Sequence, residues 1–166
     1  MRNLLIGAVA ALGLAMPAQA ADDDALNTFQ TLEPDLAVEL AQAALQSCRD
    51  GGYQVAVVVV DRFGETQTVI RDRFAGPHTI DTATRKAWTA VSFREETQEL
   101  DERINAGELA PGLRGISEAL FLGGGVPVMS AGSIVGGVGV SGAPEPQLDE
   151  DCAAAGIDAI YDRIAF

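Results

Sequence analysis

Histidine, cysteine and basic charge are what this sequence of 166 residues has least of: one His, two Cys, and 11 Lys plus Arg against 24 Asp plus Glu. A single imidazole excludes metal centres built on several histidines, and two thiols exclude a four-cysteine zinc site. The net charge of −13 is repelled by phosphate backbones and by anionic lipid heads, so nucleic acid and membrane surfaces are not expected partners. Apolar runs long enough to span a bilayer are absent, and so are the G-x-S-x-G and H-E-x-x-H patterns of common hydrolases. What remains is a chain 48% hydrophobic and 21% charged, with 18 Gly and 7 Pro, which fits one globular domain.

The first 20 residues read as a secretory signal peptide. Arg2 is the basic start, residues 4–16 are the apolar run, and Ala18-Gln19-Ala20 is a small-x-small cleavage site before Ala21. Cleavage would leave ten basic against 24 acidic residues, net −14, in a periplasmic or secreted protein. Residues 21–33, with Asp22-Asp23-Asp24, read as a disordered acidic lead-in, and residues 34–166 as the folded domain.

Within that domain the hydrophobic period alternates between helix and strand. Leu36, Leu40, Ala44 and Cys48 recur at i, i+4 and predict a helix, with Thr31 as its cap, Pro34 in its first turn and Gly51-Gly52 at its end. The valine-rich run 53–60 predicts a central strand covered on both faces, and Asp61-Arg62-Phe63-Gly64 a turn into a second strand at 65–71. Thr79 or Asp81 starts a helix to about Phe93, with Ala83, Ala87, Ala90 and Val91 on its apolar face and Arg85 and Lys86 off it. A short polar helix at 97–105 and a loop at 107–115 follow. Strands are predicted at 118–122, 126–130 and 133–140, and a final helix at 147–164. Successive hairpins without regular βαβ alternation imply α+β with a mainly antiparallel sheet.

Gly137-Val138-Gly139-Val140-Ser141-Gly142 fits G-x-G-x-x-G, but the chain after it has room for neither the second parallel strand nor the acidic residue of a dinucleotide fold. Those glycines are read as strand packing. Cys48 and Cys152 lie near helix ends; export favours a disulfide between them, with two buried free thiols as the alternative. His78 follows Gly76-Pro77 just before a helix start, where the dipole keeps a ring nitrogen free for a metal; a plain loop or capping histidine is the alternative. Residues 62–86 carry Arg62, Arg71, Arg73, Arg85 and Lys86 against Glu65, Asp72 and Asp81, a local +2 in an acidic chain. An anionic ligand would be drawn there, and haem suits one imidazole amid arginines, since it offers an iron and two propionates. Salt bridges to neighbouring acids would account for the same charges.

Four segments together resemble the GlcG/HbpS family of small haem-binding proteins, and also the C-terminal domain of PduO-type proteins. They are Val59-Val60-Asp61-Arg62-x-Gly64; Ala75-Gly76-Pro77-His78-Thr79-Ile80 with Lys86-Ala87-x-Thr89-Ala90; Gly123-Gly124-Gly125-Val126-Pro127-Val128; and residues 134–143 followed by Asp149 and Ala153-x-Ala155-Gly156. The resemblance spans about residues 36–164. It implies a profilin-like sandwich, an antiparallel sheet of about five strands with helices packed on it, assembled into homo-oligomers. It further implies a haem-binding or haem-sensing module, here with His78 as iron ligand and Arg71, Arg73, Arg85 and Lys86 as propionate partners. The rival readings are an enzyme acting on a small anionic metabolite, with His78 as acid or base, and a ligand-free accessory protein.

Overall fold

A computed structural model describes residues 26–165. The signal peptide at 1–20, the Ala21 cleavage point and the aspartate run lie outside the described residues. Helix α1 (Pro34–Asp50) buries the expected stripe of Leu36, Leu40, Ala44 and Cys48. Strands β1 (Ala56–Asp61) and β2 (Thr66–Arg71) form the first hairpin. The Asp61 carboxylate ties that turn by accepting the N–H groups of Phe63 and Glu65 at 2.8 and 3.0 Å. Helices α2 (Thr79–Phe93) and α3 (Thr97–Asn105) follow, then a 3-10 turn (Pro111–Gly115) within the expected loop. Strands β3 (Gly125–Ser130) and β4 (Ser133–Ser141) form a second hairpin, and α4 (Pro146–Ile164) closes the chain.

The sheet has four strands in the order β2-β1-β4-β3, every pair antiparallel. The expected count of about five strands falls by one, because residues 118–122 stay irregular. Their backbone groups are spent on helix side chains: the Leu120 N–H donates to Thr89 Oγ1 (2.8 Å), and the Leu122 carbonyl accepts from Thr97 Oγ1 (2.7 Å). Ala119 and Phe121 then pack on Leu100 and Ile104 in a small core under α3.

Alternation along β1 explains why its valines show no polar partner. Val55, Val57 and Val59 join the core under α1 and α4, while Ala56, Val58 and Val60 join the one under α2. A helical layer therefore covers each face of the sheet. On the first face the Cys48 and Cys152 side chains are buried and bridged, with Cα atoms 5.5 Å apart, so α1 and α4 are joined as export suggested. On the second face β4 has almost no side chains to offer: a Cβ on Gly139 would stand 2.0 Å from the Ala83 carbonyl oxygen, and one on Gly137 2.6 Å from Val91 Cγ2. The glycine-rich strand admits a helix at backbone contact, as the packing reading of the motif requires.

Two boundaries correct the sequence reading. Thr31 does not cap α1; its hydroxyl donates to the Val135 carbonyl at 3.3 Å, and Glu33 is the N-cap, without a side-chain bond. The end of the expected disordered lead-in is anchored by the same residue of β4. Leu32 is buried, its N–H donates to Val135 O at 3.2 Å, and its carbonyl accepts from Gln67 Nε2 at 3.0 Å. Gly136 leaves the room, since a Cβ there would lie 3.0 Å from Leu32 Cδ1.

Candidate functional site

The residues between β2 and α2 carry the sequence's candidates, and strand alternation decides which of them face water. Asp72 turns inward and is buried, while Arg71 and Arg73 on either side of it are exposed. Asp72 spends its charge on Arg49 of α1, accepting from Nε at 2.8 Å and Nη2 at 3.1 Å. That guanidinium, helped by the Arg73 backbone N–H, holds the Asp72 carboxyl at about 2, below the usual carboxylate range. The nearest acid is thus removed from Arg71 and Arg73. Among the described residues neither they nor Arg85 form an ion pair: Arg71 Nη1 donates to the Ala75 carbonyl (2.9 Å), Arg73 stacks over Phe74, and Arg85 Nη2 donates to the Ala119 carbonyl (2.9 Å).

His78 is the N-cap of α2, three positions before Asp81 and one before Thr79, the two caps considered from sequence. It is exposed, and its ring makes no hydrogen bond among the described residues. The ring packs close to Gly76, whose missing Cβ would come within 2.7 Å of its Cε1. Phe74, four positions earlier, is 78% exposed, with only the Arg73 guanidinium over its ring among the described residues.

Below His78 a cavity of about 340 Å³ runs down α2, lined by His78, Thr82, Lys86, Ser141, Gly142 and Asp149 among others. Lys86 is its floor and corrects the sequence reading twice. It lies on the buried face of α2 with Ala83, Ala87 and Ala90, and is only 1% exposed. Its ammonium donates to Asp149 Oδ2 at 2.8 Å and to the Val140 carbonyl at 2.9 Å. A charge so enclosed and so paired is not available to a haem propionate.

The other end of this pair was missed. Asp149 enters the sequence reading only as part of a family motif, with no site role, yet it also binds the turn before α4, its Oδ1 accepting from the Ala143 N–H at 2.9 Å. Burial pulls the Lys86 ammonium below its ordinary value and lifts the Asp149 carboxyl above its own, each opposed by the partner charge. Gly124, at φ +117°, makes the space: a Cβ there would lie 2.9 Å from Lys86 Nζ and 2.8 Å from Asp149 Cβ. A lysine at i+3 within an alanine face was the signal that could have exposed the pair, because a buried ammonium requires a carboxylate. Beside it Glu150 accepts the N–H groups of Gly124 (3.0 Å) and Gln98 (3.2 Å), fixing the glycine turn over the cavity.

No group of three or more His, Cys, Asp or Glu side chains converges as a metal site among the described residues, and no helix there is long and apolar enough to cross a membrane. A family model described as "Haem degrading protein HbpS-like" matches residues 32–158. A double mutant of HbpS from Streptomyces reticuli is 40% identical with a TM-score of 0.78, covering 89% of this chain and 99% of that one. The PduOC:Heme complex superposes with a TM-score of 0.71 at 28% identity, covering 78% of this chain and 95% of that one. Corrinoid adenosyltransferase PduO of Citrobacter freundii is 32% identical over 148 residues, 84% of this chain. The chain spans only 44% of that relative's length.

Proposed function

The chain belongs to the HbpS-like family, and from that premise we propose that it is an exported haem-binding or haem-sensing protein with His78 as its iron ligand. The observation that carries this reading is an exposed imidazole, free of hydrogen bonds, in the same short segment as an exposed phenylalanine and two arginines that form no ion pair among the described residues. Haem, when bound, supplies an iron that takes one imidazole and two carboxylates that take guanidinium groups. The fit is to a surface site. The cavity of about 340 Å³ below His78 is at the small end for any drug-sized ligand, so the porphyrin would rest across Phe74 and His78 rather than enter. Arg71 and Arg73 would hold the propionates, with Arg85 two turns along α2. Lys86 takes no part, for the reason given above. A plate left so exposed would gain from a second copy of the chain over it, which supports the homo-oligomer expected of the family.

Haem titration of the mature protein tests the reading. The expected result is a shifted Soret band that His78→Ala alters in position and weakens, while Arg73→Ala weakens binding and leaves the band in place. An unaltered spectrum in His78→Ala removes the axial role, and no binding by the unaltered protein removes the proposal. Export is tested separately, by an intact mass of the secreted protein that begins at Ala21.

A further inference from the structure

The cavity over Lys86 has an excess of hydrogen-bond donors. Asp149, its one anionic group, is already supplied: Oδ2 accepts from Lys86, Oδ1 from the Ala143 N–H, and the Gly142 N–H reaches the same carboxylate. Lys86 uses two of its three N–H groups, on Asp149 and Val140. Ser141 lines the cavity at 5% exposure, and its hydroxyl makes no hydrogen bond among the described residues. That hydroxyl is open to the cavity, so its donor is available to an occupant. The opposite wall is apolar, formed by Leu122, Pro144 and Pro146.

Charge narrows the class of occupant. Lys86 and Asp149 neutralise one another, so an added carboxylate would bring a second negative charge beside a desolvated aspartate. An uncharged acceptor meets no such repulsion. We propose that this cavity binds a small uncharged compound presenting a carbonyl oxygen, which accepts from Ser141 and from the third N–H of Lys86 while its short hydrocarbon part lies on Leu122, Pro144 and Pro146. The site differs from the haem surface in depth and in donors, and shares only the rim at His78.

Three probes of equal length test it on haem-free protein, so the outcome is independent of haem: butanone, butyrate and butylammonium, each titrated while the backbone amide resonances of Thr82, Gly142 and Ala143 are followed by NMR. Butanone is expected to give saturable shifts at these amides, with weaker responses to the other two. Ser141→Ala, with the rest of its spectrum unchanged, is expected to weaken butanone about fivefold, the worth of one neutral hydrogen bond. Stronger binding of butyrate overturns the charge argument, and stronger binding of butylammonium overturns the donor count. Absence of saturation with butanone, or saturation that Ser141→Ala leaves unchanged, overturns the site.

Discussion

On one face of the sheet α1 and α4 interlock leucine, valine and isoleucine side chains and are joined covalently through Cys48 and Cys152; on the other, α2 lies on Gly137 and Gly139 with almost nothing between the backbones. Side chains that fill a layer leave no opening in it, whereas glycines that let a helix sink in leave space at its ends. The cavity and His78 stand at such an end of α2. The first face supplies rigidity and the second supplies the site, and only the second buries a lysine.

If that contrast is right, the greatest damage comes from a side chain on the glycine face. Gly139→Val would drive a branched side chain into the Ala83 carbonyl, already 2.0 Å from a bare Cβ, and backbone cannot yield as a flexible side chain would. A loss of about 3 kcal/mol or more, or no folded protein, is expected on urea denaturation. A variant of native stability would show that α2 does not need contact at this distance.

Next in size is the buried pair. Lys86→Met leaves Asp149 charged and alone, which costs about 3–5 kcal/mol for buried pairs of this kind. Adding Asp149→Asn removes the stranded charge while keeping an acceptor for the Ala143 N–H, so the double variant is expected to be more stable than the single one. Strict additivity of the two losses would deny the coupling. On the opposite face, replacing Cys48 and Cys152 together by Ala opens a link across 104 residues, with an expected cost of about 2–4 kcal/mol read as a lower denaturation midpoint. No change in midpoint would mean that side-chain packing alone holds that face.

The smallest effect is electrostatic and has a sign in pH. Asp72 titrates at about 2 when folded, below its ordinary value of 3.8, so the stability it contributes is present above about pH 4 and is lost as pH falls towards 2. Arg49→Met removes the first cause of that depression and should flatten the fall across this window relative to the unaltered protein. Parallel curves would assign the acid loss to other carboxylates.

Elements with a clean period were legible from residues alone: α1, the β1–β2 hairpin, α2, α3 and α4 all stand within a few residues of expectation. The segment 118–122 was not, because its apolar composition suits a strand and only the hydroxyls of Thr89 and Thr97, supplied from two helices, withdraw its backbone from the sheet. At the proposed haem surface, His78 and the arginines stand out in the sequence by scarcity and by local charge. The pairing of Lys86 could not be found so, since Asp149 lies 63 positions away and its place in a family motif says nothing of which charge it meets.

Composition and periodicity suffice for an α+β chain with a two-sided central strand, glycines built for close packing and one imidazole in a basic stretch, because each of these rests on neighbours along the chain. Which charges meet and which stay free was settled only by folding. Arg49 takes Asp72 and so frees Arg71 and Arg73; Asp149 takes Lys86 and so removes it from the surface. Ion pairing falls off with distance in space; the separation of 23 residues is bridged only by laying α1 against the end of β2, and that of 63 residues only by packing α2 and α4 on opposite faces of one sheet.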